Sequence, residues 1–134
     1  MSIKFGTDEW VKAAMVALNS TPAYKKAAAK WEGDFYFVVP DGNGAGSPII
    51  MYMDLWHGDC RDAFVVTDPS TKSPAFVMTA PVAVWQLVFQ GKLDPIKGLM
   101  TKKLSLEGNK MKVLKAPKAA VEMVNCCAGL DTAW

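Results

Sequence analysis

The sequence predicts a mixed α/β (α+β) domain, and three observations carry that expectation. Apolar residues recur at helical spacing near both ends of the chain, in Trp10, Val11, Ala14, Met15 and Leu18 and again in Met111, Leu114, Ala119, Ala120, Met123 and Val124. Between them lie aromatic and β-branched runs bounded by Gly, Pro and Asp, which read as strands. The stretch Phe76 to Asn109 then punctuates itself as strand, helix, short helix, strand and turn. At 134 residues the chain suits one hydrophobic core and is short for two, so a single domain over 1–134 is expected.

Thr7-Asp8-Glu9 places a capping residue and two acids ahead of the first helix. Asn19-Ser20-Thr21-Pro22 ends it, and Pro22 to Lys30 begins a second, short helix with Ala23, Ala27 and Ala28 on one side; the pair forms a cover. Trp31 to Val39 is the first strand, stopped by Pro40. Asp41 to Pro48 follows a strand and is rich in glycine, as a phosphate cradle is. Such a cradle must open a helix, whereas Pro48 to Trp56 reads as another strand, so a hairpin loop is the expected role. His57-Gly58-Asp59 makes a turn, Cys60 to Asp68 a third strand, and Asp68 to Pro74 a loop before the short strand Ala75 to Met78.

Thr79 can cap the next helix with Pro81 at an early position, and Gly91 supplies the left-handed residue that stops it. Asp94 caps a second helix whose first residue is Pro95, and alternation resumes over Lys103 to Glu107 before a Gly108-Asn109 turn. Pro117 cannot donate a hydrogen bond inside a helix. A last strand residue or a short turn is therefore expected near Lys110 to Lys115, then a helix from Pro117 to Ala128 stopped by Gly129.

Composition narrows the class. With 51% hydrophobic and 21% charged residues the chain is compact, not disordered. Eight methionines suit either ordinary gap-filling or an interior that adapts to a variable apolar guest. The net charge of +2 is uneven: residues up to Gly91 sum to −2 and those beyond it to +4. The basic third carries lysines and no arginine, poorly suited to bidentate base or phosphate recognition, so no nucleic-acid partner is expected. A solvated face and a diffuse attraction to an anionic head group or membrane both fit. Three cysteines without zinc-type spacing, and no long apolar run, point to a reducing cytoplasm.

Catalytic equipment is sparse. Asp54, His57, Asp59, Cys60 and Asp62 crowd one turn, but no second histidine completes a usual ligand set and a hairpin needs Gly and Asp there anyway. Cys126 and Cys127 have no histidine near in sequence. No metal, cofactor or catalytic residue is therefore expected. Apolar surface is abundant by contrast: Val82, Val84, Trp85, Leu87, Val88 and Phe89 make the helix after Thr79 hydrophobic nearly all round. Such a helix needs cover on more than one side, from core or from a ligand cavity. Phe37, Met51, Met53, Phe64 and Met78 on the strands could form the opposite wall.

The succession of a helix ending in Gly91, the helix start Leu93-Asp94-Pro95, and the strand and turn Lys103-Leu104-Ser105-Leu106-Glu107-Gly108-Asn109 resembles the sterol carrier protein type 2 domain family, also called non-specific lipid-transfer domains. The paired helices and three strands upstream fit the same layout, although the specific motifs lie in the C-terminal half. Two positions depart from the family pattern: Lys102 stands where a glycine usually precedes the last strand, and Asn109 replaces the usual Asp. The resemblance implies a mainly antiparallel five-stranded sheet with helices on one face and an apolar tunnel between them. It also implies carriage of a fatty acid, fatty acyl-CoA or sterol-like lipid without chemical change. A module presenting an apolar substrate to a partner enzyme is the alternative, and a small enzyme using the His57 and Cys60 turn a third. On that basis Trp85, Val88, Phe89 and Met100, together with the five strand residues named above and Leu114 and Met123, are expected to contribute tunnel wall.

Overall fold

The computed structural model describes residues 2–42 and 47–134. After a two-residue strand β1 (Ile3–Lys4), Thr7 accepts a hydrogen bond from the Trp10 N–H and caps helix α1 (Asp8–Asn19), whose buried stripe is Trp10, Val11, Ala14 and Leu18. Helix α2 (Pro22–Ala27) is shorter than expected. It stops at Ala27, not Lys30, and Tyr24 and Ala28 are its buried contacts while Ala23 is exposed.

Five strands follow the predicted order: β2 (Glu32–Val39), β3 (Ile49–Trp56), β4 (Asp59–Val65), β5 (Phe76–Thr79) and β6 (Ser105–Glu107). They lie side by side as β4-β3-β2-β5-β6, antiparallel throughout except for the parallel pair β2–β5. The glycine-rich stretch expected to turn the chain between β2 and β3, and the phosphate cradle weighed for it, fall largely on residues 43–46, outside the described residues. The β3–β4 hairpin turns on His57 and Gly58, both at positive φ (49° and 84°), which matches the twist of the strands. A Cβ on Gly58 would meet the Lys25 carbonyl oxygen at 2.6 Å, so the turn also needs the missing side chain. Strand β4 ends at Val65; Asp68, expected as its last residue, instead accepts from the Ser70 N–H and caps a single 3-10 turn, Pro69–Thr71.

Alternation sorts the sheet into two faces. Phe35, Phe37 and Val39 on β2 and Met51, Met53 and Leu55 on β3 join the helices in one core; Tyr36 and Tyr52 lie on the other face in a smaller cluster with Val66. A bulge pairs Met53 with Ala63 but Leu55 with Cys60, which turns both Cys60 and Ala63 toward the core although they are three residues apart.

Thr79 is the last residue of β5, not a helix cap. Pro81 holds the cap position of α3 (Val82–Phe89), without a side-chain hydrogen bond. The other end of α3 closes as expected: Gly91 has φ 74°, its N–H meets the Val88 carbonyl, and the Lys92 N–H reaches back to the Leu87 carbonyl. Asp94 accepts from the N–H groups of Ile96 and Lys97 and caps α4 (Pro95–Met100). Lys102, where the resembling family usually carries glycine, sits at φ 63°, and β6 begins at Ser105. The segment expected as strand or turn before Pro117 is helix α5 (Lys110–Leu114), capped by Asn109. Helix α6 (Pro117–Ala128) has the predicted bounds, and the tail adds β7 (Thr132–Ala133), which pairs in parallel with β1. No sequence signal marked that pair, because two-residue strands carry no periodicity.

Candidate functional site

Between the helices and the inner face of the sheet lies a cavity of about 90 Å³. That is room for several waters, yet the lining is almost wholly apolar. The sheet contributes Phe35, Phe37, Met51, Met53, Leu55 and Met78. Trp85, Val88 and Phe89 of α3 face them, and the bound of the space is set by Ala119, Ala120, Met123, Val124 and Cys127 of α6. Phe5, Trp10, Tyr24 and Trp31 close the N-terminal side; Pro95, Leu104, Val113 and Ala116 complete the wall.

The lining is apolar because its polar atoms are mostly spent elsewhere. The indole N–H of Trp10 donates to Thr132 Oγ1 (2.9 Å), that of Trp31 to the Gly33 carbonyl (3.0 Å), and that of Trp85 to the Val38 carbonyl (3.2 Å). The ring bodies are left for the lumen. Phe35 and Phe37 stack at 5.0 Å and 4°, and Phe37 meets Trp85 edge-on at 5.9 Å, so the aromatic wall is continuous from sheet to α3. Four of the lining residues are methionines, flexible enough to change the shape of the space without moving backbone.

Eight of the eleven residues expected in the wall line this cavity: Phe37, Met51, Met53, Met78, Trp85, Val88, Phe89 and Met123. Three do not. Phe64 pairs with Tyr52, ring centroids 5.0 Å apart, on the opposite face of the sheet, because the β4 bulge places Ala63 inward instead. Met100 is 72% exposed, since α4 turns Gly98 and Leu99 inward. Leu114 yields to Val113, its neighbour on the short α5. The α3 helix, apolar nearly all round, is not covered all round: Leu87 remains 37% exposed. Of the lining residues not singled out, Trp10 and the α6 alanines lay on predicted apolar faces. Phe5 and Tyr24 had no periodic pattern around them.

A second, larger and more polar groove of about 490 Å³ runs past Gln90, Gly91, Leu130, Asp131 and Thr132. It shares Phe89 and Cys127 with the inner cavity, so these two side chains form a partition. Trp134 lies over it, 4.5 Å from the Phe5 ring and 6.1 Å from Phe89.

The polar turn is dispersed into surface pairs. His57 Nε2 lies 2.5 Å from Glu32 Oε2, Asp59 is 2.5 Å from Lys25 Nζ, and Asp54 holds Arg61 at 3.0 Å. Cys60 faces the core, where burial pushes its thiol up to about 12. Burial also raises the Cys127 thiol, next to a half-buried Cys126. Among the described residues no group of three His, Cys, Asp or Glu is arranged to hold a metal, and no helix is long and apolar enough to cross a membrane. The described ion pairs leave all eight lysines from Lys92 to Lys118 without a carboxylate partner. Lys112 lies over the Trp31 ring at 5.3 Å and donates to the Glu32 carbonyl.

Residues 13–120 match the model of the SCP-2 sterol transfer family. Among solved structures, a crystal structure of sterol carrier protein 2 is 33% identical, covers 95% of this chain and 99% of its own, and superposes with a TM-score of 0.85. A solution structure from Thermus thermophilus, described as a conserved hypothetical protein and candidate sterol carrier, is 35% identical over 99% of this chain and 94% of that one, with a TM-score of 0.84. The Aedes aegypti sterol carrier protein-2 in complex with palmitate shares the fold at 14% identity, over 92% of this chain and 98% of that one, with a TM-score of 0.55. A search of curated proteins found no match.

Proposed function

Because this chain belongs to the SCP-2 sterol transfer family, we propose that it binds one long-chain apolar lipid in the cavity between the sheet and α3 and α6, and carries it without chemical change. The observation that bears this reading is the cavity lining, in which aromatic and methionine side chains face the lumen while the three lining indoles bond to the protein. Each ligand methylene moved from water into that lining contributes about 0.8 kcal/mol before ordering costs. The palmitate held by the Aedes aegypti protein of the same fold supports a ligand of fatty-acyl size. Such a chain exceeds the present space, so Met51, Met53, Met78 and Met123 would change rotamer as it enters.

In this reading the chain is not an enzyme and acts in the cytoplasm. The unpaired lysines of the C-terminal third draw it transiently to anionic membranes, where ligand is exchanged. Native mass spectrometry of protein purified without detergent, followed by lipid extraction, tests the reading: a one-to-one adduct with a long-chain lipid supports it. Absence of any adduct, together with no uptake of fluorescent fatty acids by folded protein, would sink it.

A further inference from the structure

The chain between Lys92 and Lys118 is charged unlike the rest. It carries eight lysines against two carboxylates, Asp94 and Glu107, a balance of +6, while the remaining residues hold seven cations against eleven carboxylates, a balance of −4. All eight lysines are exposed, and none has a carboxylate partner among the described ion pairs. Lys112 is held over the Trp31 ring and by the Glu32 carbonyl, which leaves seven that can reach outward. The segment forms α4, the edge strand β6 and α5, and both helices pack on α6. Its lysines repel one another, and an anionic counter-surface relieves that repulsion.

Apolar side chains stand among these lysines. Because α4 and α5 turn Gly98, Leu99 and Val113 inward, Met100 is left 72% exposed and Met111 58%. Met100 follows Lys97 by one helical turn and Met111 lies between Lys110 and Lys112. Single exposed hydrophobics are ordinary on a protein surface. Two long, flexible ones set among unpaired lysines suit a boundary with acyl chains beneath and anionic head groups around. Charge alone would suit an acidic protein equally; the methionines favour a bilayer. The inner side of the same segment is cavity wall, through Pro95, Leu104 and Val113.

Building on the lipid-carrier reading, we propose that the surface formed by α4, β6 and α5 is the membrane-docking face of this protein. Its lysines meet anionic head groups, Met100 and Met111 enter the acyl boundary, and the cavity wall at Pro95, Leu104 and Val113 is set against the bilayer that exchanges ligand. The attraction of the basic third thereby becomes one orientation.

The test is flotation with vesicles of phosphatidylcholine alone or with about 30% phosphatidylserine, at low salt and at about 0.5 M. Wild-type protein should bind only the anionic vesicles and leave them at high salt. Replacing Lys97, Lys103 and Lys115 by glutamine should weaken binding about 30- to 100-fold. The same change at Lys4, Lys12 and Lys72, on β1, on α1 and over the outer face of the sheet, removes equal charge and should cost within about threefold. Met100→Ser with Met111→Ser should weaken binding about 5- to 20-fold. Uptake of a fluorescent fatty acid should be unchanged in every variant, since none of these side chains lines the cavity. Equal losses in the two lysine variants, or no loss in the methionine variant, would overturn the proposal. So would absence of vesicle binding by the wild-type protein, which would leave an acidic protein as the occupant of this face. In each case intact fatty-acid uptake keeps lipid carriage standing; loss of uptake in the wild-type protein would strike carriage whatever the vesicles show.

Discussion

Replacing Trp85 by alanine tests whether the cavity wall is a packed surface. The indole is 3% exposed, stacks on Phe89 at 6.0 Å and 14°, and takes the edge-on contact with Phe37. A tryptophan side chain buries about 200 Å², which at roughly 25 cal/mol/Å² gives an upper bound near 5 kcal/mol. Two features lower that figure. One side of the ring already faces the cavity, so fewer contacts are lost than in a closed core. The lost hydrogen bond also leaves no orphan, because the Val38 carbonyl keeps the Ala80 N–H at 3.1 Å. A cost of about 3 to 4 kcal/mol follows, within the ordinary range for Trp→Ala. Urea denaturation of lipid-free protein measures it as a fall in midpoint at unchanged slope. The enlarged cavity should also favour branched or ringed ligands over straight chains. A loss under about 1 kcal/mol would show that Trp85 is not a packed wall, and the argument for its role in the lumen would fall with it.

Lys102→Gly should stabilise the protein by about 1 kcal/mol, read as a higher thermal midpoint, because φ 63° strains a residue with a Cβ. Asp94→Ala should cost about 1 kcal/mol by removing both hydrogen bonds that start α4, while Thr79→Ala should cost far less, since Thr79 caps nothing. Asp8 is held below its ordinary 3.8 chiefly by the Val65 N–H and also by Lys12. A carboxylate depressed in the folded state adds stability above its unfolded pKa and loses it as pH falls through the folded one. Asp8→Asn should therefore be less stable than wild type above about pH 4, with the gap closing in more acid solution in pH-resolved melts. Of the three thiols, a disulfide reagent should reach Cys126 first in native protein, with Cys60 and Cys127 reacting only on unfolding.

How far the residues announced this structure depends on what kind of signal each feature leaves. Helix ends with chemical markers were legible: Thr7, Gly91, Asp94-Pro95 and Pro117 stand where the structure uses them. Thr79 misled because Pro81 can begin a helix without a side-chain cap, leaving Thr79 free to end β5. In the wall, Phe37, Met51, Met53 and Met78 were readable because alternation within β2, β3 and β5 is regular. Phe64 was not, since the bulge in β4 changes which residues face inward and depends on pairing with β3. Tyr24 was hidden for another reason: no periodic pattern surrounds it, and only packing in space brings it to the wall.

The sheet order also sets a sequence of events in time. Strands β2, β3 and β4 pair through adjacent connections and can close as a meander as soon as the chain collapses. The parallel β2–β5 pair joins Phe35 to Phe76, about 40 residues later, and must wait for a longer loop to close. Until then the edge of β2, with Phe35, Phe37 and Val39, is unpaired and apolar. That interval is when the nascent chain is most prone to join another copy of itself, and anything that speeds docking of β5 shortens it.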